Sequence, residues 1–173
     1  VTLNQEAALE TAGDLEQKIA TRTLNKLHGI PLGIKDIFFT KGIITTACSP
    51  IHASFVPSYD ATAVALLRDA GAIVMGKTVT TEFACMDPSP TLNPWNPTRT
   101  PGGSSSGSAV GVAARIFPAA LGSQTAGSVL RPASYNGVVG MKPTFGSISR
   151  YGVFPVAHTL DTIGFFTRTV VDS

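Results

Sequence analysis

The first periodic segment of the chain runs from Asn4 to Ala20. Its apolar residues fall near helical spacing, at Ala8, Leu9, Leu15 and Ile19. This spacing places apolar side chains on one side of an α-helix, and asparagine is a common residue at the N-cap. The sequence therefore predicts an amphipathic helix over 4–20, with Asn4 as its cap.

The second periodic segment, Asp60 to Ala70, carries apolar residues at Val64, Leu66 and Leu67. Its first residue, an aspartate, stands where a side-chain N-cap is expected. Gly71 stands where a helix often ends on a left-handed residue. We therefore predict a helix over 60–70 that the aspartate caps and the glycine terminates.

Two apolar runs flank this second helix and are interpreted as buried strands. One is Gly29 to Phe39, interrupted only by the charged pair Lys35–Asp36, and the other is Ala72 to Met75. A helix, a glycine and a buried strand form the second half of a βαβ unit, in which the strands are parallel. The order of elements predicts an α/β fold with a mixed, largely parallel central sheet flanked by helices.

The remainder of the chain adds a long loop and several short elements. Five prolines and no apolar periodicity between Asp87 and Pro101 predict an irregular loop. The pattern then predicts a Gly/Ser stretch (102–108), a helix (109–115), a strand (118–122), a turn (123–128) entering a short helix, a strand (138–141) and the entry to another helix (164–173). No repeat or linker divides the chain, so residues 1–173 are predicted to form a single domain.

Composition narrows the classes of function. Hydrophobic residues make up 43% and charged residues 14% of the 173, which excludes a disordered chain. Thirteen scattered basic residues and a net charge of +2 predict neither a nucleic-acid nor a membrane partner. The sequence has neither a span of ~20 apolar residues nor a signal-peptide pattern. Cys48 and Cys85 lack metal or redox spacing and are expected to be buried reduced thiols, which fits a cytoplasmic location.

The stretch Gly102–Ser108 has three interpretations. A flexible linker is the ordinary one, but the stretch is short and a helix is predicted to begin on its last residues. A phosphate loop would need the pattern G-x-x-x-x-G-K-[ST], which is missing. A serine nucleophile elbow would place Ser105 at its apex, with His158 and Asp161 as partners, but prolines rather than a strand precede it.

A family resemblance runs from about Leu27 to the last residue. It is carried by the blocks Pro31–Asp36, Gly76–Thr78, Glu82–Ala84, Asn93–Asn96, Pro101–Ala109, Leu121–Ala133 and Gly137–Thr144. In this order the blocks resemble the amidase signature family, the Ser–cisSer–Lys amidases. Members of that family continue well beyond the length of this chain. The resemblance therefore implies an incomplete amidase signature fold, the core of a longer enzyme that lacks its C-terminal part.

The resemblance also implies roles for individual residues. Ser128 would be the nucleophile and Lys35 the base. Ser104 would be the bridging serine between them, held after an unusual cis peptide bond from Gly103. The oxyanion hole would consist of the backbone N–H groups of Thr125, Ala126, Gly127 and Ser128.

The proposed base must be uncharged to act. A serine hydroxyl is a poor nucleophile until a base removes its proton. Bringing a lysine to a pKa near 7.5 means destabilising its charged form by roughly 4 kcal/mol. Desolvation by apolar neighbours in the predicted strand would supply this. Asp36 would oppose it unless strand alternation points its carboxylate to the other face. Without the downstream blocks, Lys35–Asp36 would be interpreted as an exposed charged pair.

Three hypotheses of function remain open. The leading one is a stand-alone amidase acting on a small carboxamide or related carbamoyl compound. The second is an amidotransferase subunit resembling the glutaminase of the tRNA-dependent amidation complex, although the Gln124–Ala126 variation leans away from it. The third is an inactive fragment that retains the family core. None calls for a metal or an organic cofactor.

The remaining expectations concern partners and histidines. Besides a small amide substrate, the expected partner is either a second copy of the chain or the missing C-terminal portion. The three histidines lie outside the signature blocks, so a structural role is expected for His28, His52 and His158.

Overall fold

The computed structural model describes residues 2–20 and 24–173. Its helices are α1 (Gln5–Ala20), α2 (Thr62–Asp69), α3 (Ser106–Ala113) and α4 (Leu130–Asn136). Its strands are β1 (Pro31–Lys35), β2 (Ile73–Thr78), β3 (Ala119–Gln124), β4 (Val139–Met141) and β5 (Thr162–Thr167). Short 3₁₀ turns lie at Pro50–His52 and Glu82–Ala84.

The five strands form one sheet in the order β2–β1–β3–β5–β4. β1 pairs in parallel with β2 and β3, whereas β5 runs antiparallel to β3 and β4. α2 lies between β1 and β2 in the chain, as a βαβ unit requires. The prediction of an α/β fold with a mixed, largely parallel sheet is confirmed.

Apolar side chains pack on both faces of this sheet. Successive residues of a strand point to opposite faces of the sheet. In β3, Leu121 belongs to a cluster with Val64 of α2, and Ala120 belongs to a second cluster with Val112 of α3. Phe117, a member of the second cluster, lies against Gly33 of β1. A Cβ built on Gly33 of β1 would approach the Phe117 ring to 2.5 Å. Glycine therefore lets β1 and the segment around α3 pack closely, which brings the end of β1 near the Gly/Ser stretch.

The predicted first helix is present, but only part of its apolar pattern is buried. Ala8 and Leu15 pack against Ile73 of β2, while Leu9 is 66% and Ile19 55% exposed. The side chain of Asn4 donates to the Val74 carbonyl oxygen at 3.0 Å. The residue predicted as the cap therefore ties α1 to the sheet.

The predicted cap of α2 is wrong. Asp60 accepts a hydrogen bond from the Lys41 backbone N–H at 2.7 Å and pairs with Arg68 Nε at 3.2 Å. Ala61 occupies the N-cap position and makes no side-chain cap. The predicted end of the helix is confirmed, since Gly71 has a φ of +89°.

Two differences concern strands. β1 ends at Lys35 rather than Phe39, and the chain turns at Asp36–Ile37. β5 was not predicted, although it lies between β3 and β4 in the sheet. After it, residues 168–173 form bends and a turn instead of a helix. Thr169 and Asp172 nevertheless exchange the reciprocal hydrogen bonds of a capping box.

Two further observations bear on the expectations from composition. No helix in the ranges 2–20 and 24–173 is long and apolar enough to cross a membrane. The expectation of two buried thiols is wrong, because Cys48 is half-buried and Cys85 exposed.

Candidate active site

Lys35 is the last residue of β1, and its side chain is fully buried. Its Nζ donates to Ser104 Oγ at 2.7 Å and to Ser123 Oγ at 2.8 Å. Ser104 precedes α3, and Ser123 belongs to β3, the strand beside β1. The structure therefore brings together two of the residues predicted from sequence, Lys35 and Ser104, and adds a third that was not predicted.

Burial governs the protonation of this lysine. Desolvation lowers the pKa of Lys35 to about 7, while the negative charge of Asp161 acts in the opposite direction. Near neutral pH the Lys35 amine therefore loses its proton far more readily than an exposed lysine does. The expectation of a lysine made neutral by burial agrees with this environment.

Asp36 does not share the surroundings of Lys35. Its carboxylate accepts hydrogen bonds from the backbone N–H and hydroxyl of Thr46 and lies 3.8 Å from Lys77 Nζ. The Asp36 carboxylate therefore lies away from the Lys35 amine, as expected, although Asp36 belongs to the turn after β1 and not to the strand. The alternative of an exposed charged pair is excluded, since Lys35 is 0% and Asp36 3% exposed.

Ser104 is buried and follows a cis peptide bond from Gly103, as the family resemblance implied. Two hydrogen bonds hold the carbonyl oxygen of Gly103, from Arg131 Nε at 3.1 Å and Arg131 Nη2 at 2.7 Å. The Ser104 carbonyl accepts from the Thr81 N–H at 3.1 Å. Both sides of Ser104 are thus fixed, and Arg131 supplies the contact on the Gly103 side.

Ser128 lies half-buried in the turn between β3 and α4. Its carbonyl oxygen accepts from the Ser105 N–H at 3.3 Å, which places the turn against the residue next to Ser104. Its hydroxyl has no hydrogen bond with any residue that the structure describes. The geometry therefore joins Lys35 to Ser104 but does not join Ser104 to Ser128 through their hydroxyls.

The turn that carries Ser128 is held by side chains on both sides. Thr125 donates its hydroxyl to Asp161 Oδ1 at 2.5 Å. Gln124 Oε1 accepts from the backbone N–H groups of Val129 and Leu130, both at 2.9 Å. Gln124 Nε2 donates to the Ala126 carbonyl at 3.0 Å. The backbone of residues 125–128, predicted as the oxyanion hole, is therefore a constrained segment.

The nucleophile-elbow interpretation fails on structure. Ser105 is fully buried, and its hydroxyl exchanges hydrogen bonds with the backbone of Ser123, donating at 3.2 Å and accepting at 3.3 Å. An irregular loop rather than a strand precedes it. Both oxygens of its proposed partner Asp161 already have donors, Oδ1 the Thr125 hydroxyl and Oδ2 the N–H groups of Val156 and Ala157.

Two of the histidines, His28 and His52, make structural contacts, and His158 is exposed. His28 contacts the carbonyl of Leu15 at 2.9 Å. The ring of His52 lies 4.9 Å from that of Phe154. His158 lines a cavity of about 170 Å³ that also reaches Ser123 and Asp161.

Ser123 is the residue of the site that the sequence analysis missed. A polar residue directly after the apolar run Ala119–Gly122 was the available signal. Its contact with Lys35 depends on β1 and β3 being neighbours in the sheet, which local pattern does not reveal.

Comparison with known proteins shows which family the chain resembles. A family model described as Amidase matches residues 1–173. The chain is 49% identical over 179 residues to a glutamyl-tRNA(Gln) amidotransferase subunit of Geobacter sp. (strain M21), covering all of this chain and 37% of that protein. It thus spans little more than a third of the length of the curated relatives it matches.

Solved structures agree in fold. The peptide amidase of Stenotrophomonas maltophilia superimposes with a TM-score of 0.92 at 40% identity, covering 99% of this chain and 37% of that one. The corresponding glutamyl-tRNA(Gln) amidotransferase subunit from Thermotoga maritima gives a TM-score of 0.84 at 47% identity, covering 87% of this chain and 34% of that one. The similarity therefore extends over nearly the whole chain but over a minor part of each relative.

Proposed function

Because the chain belongs to the amidase family, we propose that it carries the catalytic core of an amide hydrolase that cleaves the C–N bond of a small carboxamide. In this proposal Ser128 is the nucleophile, Ser104 the proton relay and Lys35 the base. The chemistry passes through an acyl-enzyme and needs no metal or organic cofactor. A cytoplasmic location and completion of the pocket by further polypeptide stay predictions.

The reaction begins with proton transfer along a short chain of groups. The neutral amine of Lys35 accepts the hydroxyl proton of Ser104, and Ser104 accepts that of Ser128. Ser128 Oγ then forms a bond to the amide carbon. The developing oxyanion accepts hydrogen bonds from backbone N–H groups of residues 125–128, each typically worth ~3 kcal/mol of barrier.

The second half of the reaction returns the proton. The relay protonates the amide nitrogen, the C–N bond breaks, and ammonia or an amine leaves. Water then attacks the acyl ester on Ser128, releases the carboxylic acid and restores the hydroxyl. Proton and electron pairs balance without any further reactant.

One observation supports the proposal above the others: the 2.7 Å contact of Lys35 Nζ with Ser104 Oγ at a site without solvent access. Burial both lowers the pKa of Lys35 and keeps water from competing for its lone pair. Once the amine is uncharged, the same contact can reverse, so that Ser104 donates. For the relay to operate, the half-buried Ser128 hydroxyl must turn towards Ser104.

A fluorophosphonate probe tests the proposal on this chain. The probe phosphonylates an activated serine, and mass spectrometry of the digest locates it. We expect label on Ser128, loss of label in Ser128→Ala, and unchanged labelling in Ser134→Ala, a matched change at an exposed position of α4. A folded chain that takes no label would instead support the hypothesis of an inactive core.

The second candidate is the glutaminase of an amidotransferase. The names of the relatives favour it, since the amidotransferase subunit of Geobacter sp. is 49% identical to the chain. Ammonia release from simple carboxamides by the chain alone would favour the stand-alone amidase. Release only from glutamine, and only after partner subunits of such a complex are added, would favour the amidotransferase.

A further inference from the structure

The start of α4 lacks the usual cap. The first N–H groups of a helix have no partner within the helix and are commonly satisfied by a side chain at the N-cap. Here the N-cap residue is Val129, whose side chain has no acceptor. The partner comes from Gln124 at the end of β3, whose Oε1 accepts both the Val129 and the Leu130 N–H at 2.9 Å.

The same side chain also holds the turn from inside. Gln124 Nε2 donates to the Ala126 carbonyl at 3.0 Å, and the residue is only 5% exposed. The Ala126 carbonyl and the Gly127 N–H belong to one peptide group and point in opposite directions. Fixing the Ala126 oxygen therefore also fixes the direction of the Gly127 N–H.

The peptide group that joins Ser128 to Val129 is fixed at both ends. The Ser128 carbonyl accepts from the Ser105 N–H, and the Val129 N–H of the same peptide donates to Gln124. Gln124 thus controls one peptide before Ser128 and one after it. Three hydrogen bonds from one buried amide define the backbone around this residue.

We propose that Gln124 is a positioning residue for catalysis, whose side-chain amide sets the peptide planes on both sides of Gly127–Ser128. It keeps the Gly127 N–H directed at the developing oxyanion and keeps Ser128 beside the Gly/Ser stretch. Gln124 acts through the turn without contact with the substrate. This inference rests on the proposed function, because it assigns the turn to the reaction.

The required chemistry is that of a neutral amide. Two N–H groups need an acceptor and one carbonyl needs a donor, and glutamine supplies both from one end group. Gln124→Met keeps much of the length and loses both functions. Gln124→Glu keeps the acceptor for Val129 and Leu130 but has no N–H for Ala126. Comparing the two variants therefore separates the role of the bonds that Gln124 accepts from the role of the bond that it donates.

Hydrogen exchange and probe labelling together test the inference. In Gln124→Met we expect the Val129 and Leu130 amides of the folded chain to exchange about tenfold faster. We expect fluorophosphonate labelling to slow on the order of 10²-fold, as for a small displacement of a catalytic group. For amide turnover, kcat should fall with KM unchanged. Gln17→Met, the same change on the exposed side of α1, should alter neither the exchange rates nor the labelling rate.

Gln124→Glu provides the decisive comparison. The inference predicts slow exchange at Val129 and Leu130, as in the unaltered chain, together with slow labelling because the Ala126 peptide is freed. If Gln124→Met lowers the melting temperature but leaves exchange and labelling unchanged, the positioning role is wrong. If the unaltered chain takes no label, the proposed function fails, while unchanged exchange in Gln124→Met would still refute the inference separately.

Discussion

Two buried lysines on adjacent parallel strands make an instructive pair. Lys35 ends β1 and Lys77 lies in β2, and their side chains are 0% and 3% exposed. Because Lys77 pairs with Ile34 and not with Lys35, the two side chains point to opposite faces of the sheet. Burial lowers the pKa of both amines. Burial alone therefore does not distinguish a base from a structural cation.

The partners make the difference. Lys77 Nζ donates to the Phe38 carbonyl and to the hydroxyls of Thr40 and Thr45, and the Asp36 carboxylate lies 3.8 Å away. Three acceptors match the three N–H groups of an ammonium, and the carboxylate favours its charge. The hydroxyls of Thr40 and Thr45 donate their own protons to the carbonyls of Phe38 and Ile43. The two hydroxyls that Lys35 meets donate to no other described residue, so they can donate to a neutral amine. The partners of Lys35 therefore suit a neutral amine, and those of Lys77 suit an ammonium.

The largest expected effect is that Lys35→Met abolishes most of the reactivity of Ser128 while the chain stays folded. Lys35→Met removes the base but places an apolar side chain in a fully buried site. We expect the fluorophosphonate labelling rate to fall at least ~10³-fold, as when a member of a catalytic triad is removed, with the circular dichroism spectrum unchanged. The control is Lys41→Met at an exposed position. A labelling rate within tenfold of the unaltered chain would remove Lys35 from the mechanism.

The opposite outcome is expected for Lys77. Lys77→Met leaves the Asp36 carboxylate buried without its counter-ion, which should lower the free energy of unfolding in urea by about 3–5 kcal/mol. The fraction that stays folded should still take up the probe within about tenfold of the normal rate. Equal stability of Lys77→Met and the unaltered chain would contradict the structural assignment.

A double variant checks the reason for that loss. In Lys77→Met combined with Asp36→Asn, no charge is left unpaired, so part of the lost stability should return. Urea midpoints at constant slope measure this recovery. A double variant no more stable than Lys77→Met would mean that packing, not charge, causes the loss.

A smaller effect is expected from Asp161, whose negative charge raises the pKa of Lys35. In Asp161→Asn the opposing charge is removed, so the pKa of Lys35 should fall and activity should persist to lower pH. The rate itself should also drop, because Thr125 loses its carboxylate partner. The midpoint of the labelling rate against pH separates the two effects. Asp14→Asn, on the exposed side of α1, should leave that midpoint in place.

Local pattern accounts for much of the fold. The βαβ unit, the proline-rich loop and the glycine end of α2 depend on neighbouring residues, and all were predicted. β5 depends on two strands that cover its edges, and its sequence Thr162–Thr167 is buried on both faces without alternation. Asp60 has the local features of a cap but binds the Lys41 N–H instead, a partner 19 residues away. Strand neighbours and distant hydrogen-bond partners of this kind cannot be predicted from the local sequence.

The site divides in the same way. Lys35, Ser104 and Ser128 lie in sequence blocks that resemble the amidase signature family, so the resemblance was enough to predict them as site residues. The contact of Ser123 with Lys35 depends on β3 lying beside β1. The hydrogen bonds of Gln124 with the turn depend on the missing side-chain cap at Val129. Neither is visible before the chain is folded.

The pH dependence of Ser128 labelling tests the central claim most directly. If Lys35 acts as a buried base, the rate should rise with pH through about 7 and level off above it, because the proton that blocks the amine is lost there. Lys35→Met should retain neither the rise nor the plateau. A rate in the unaltered chain that is flat from pH 5.5 to 9, or that rises only near the ordinary lysine pKa of ~10.4, would contradict the account.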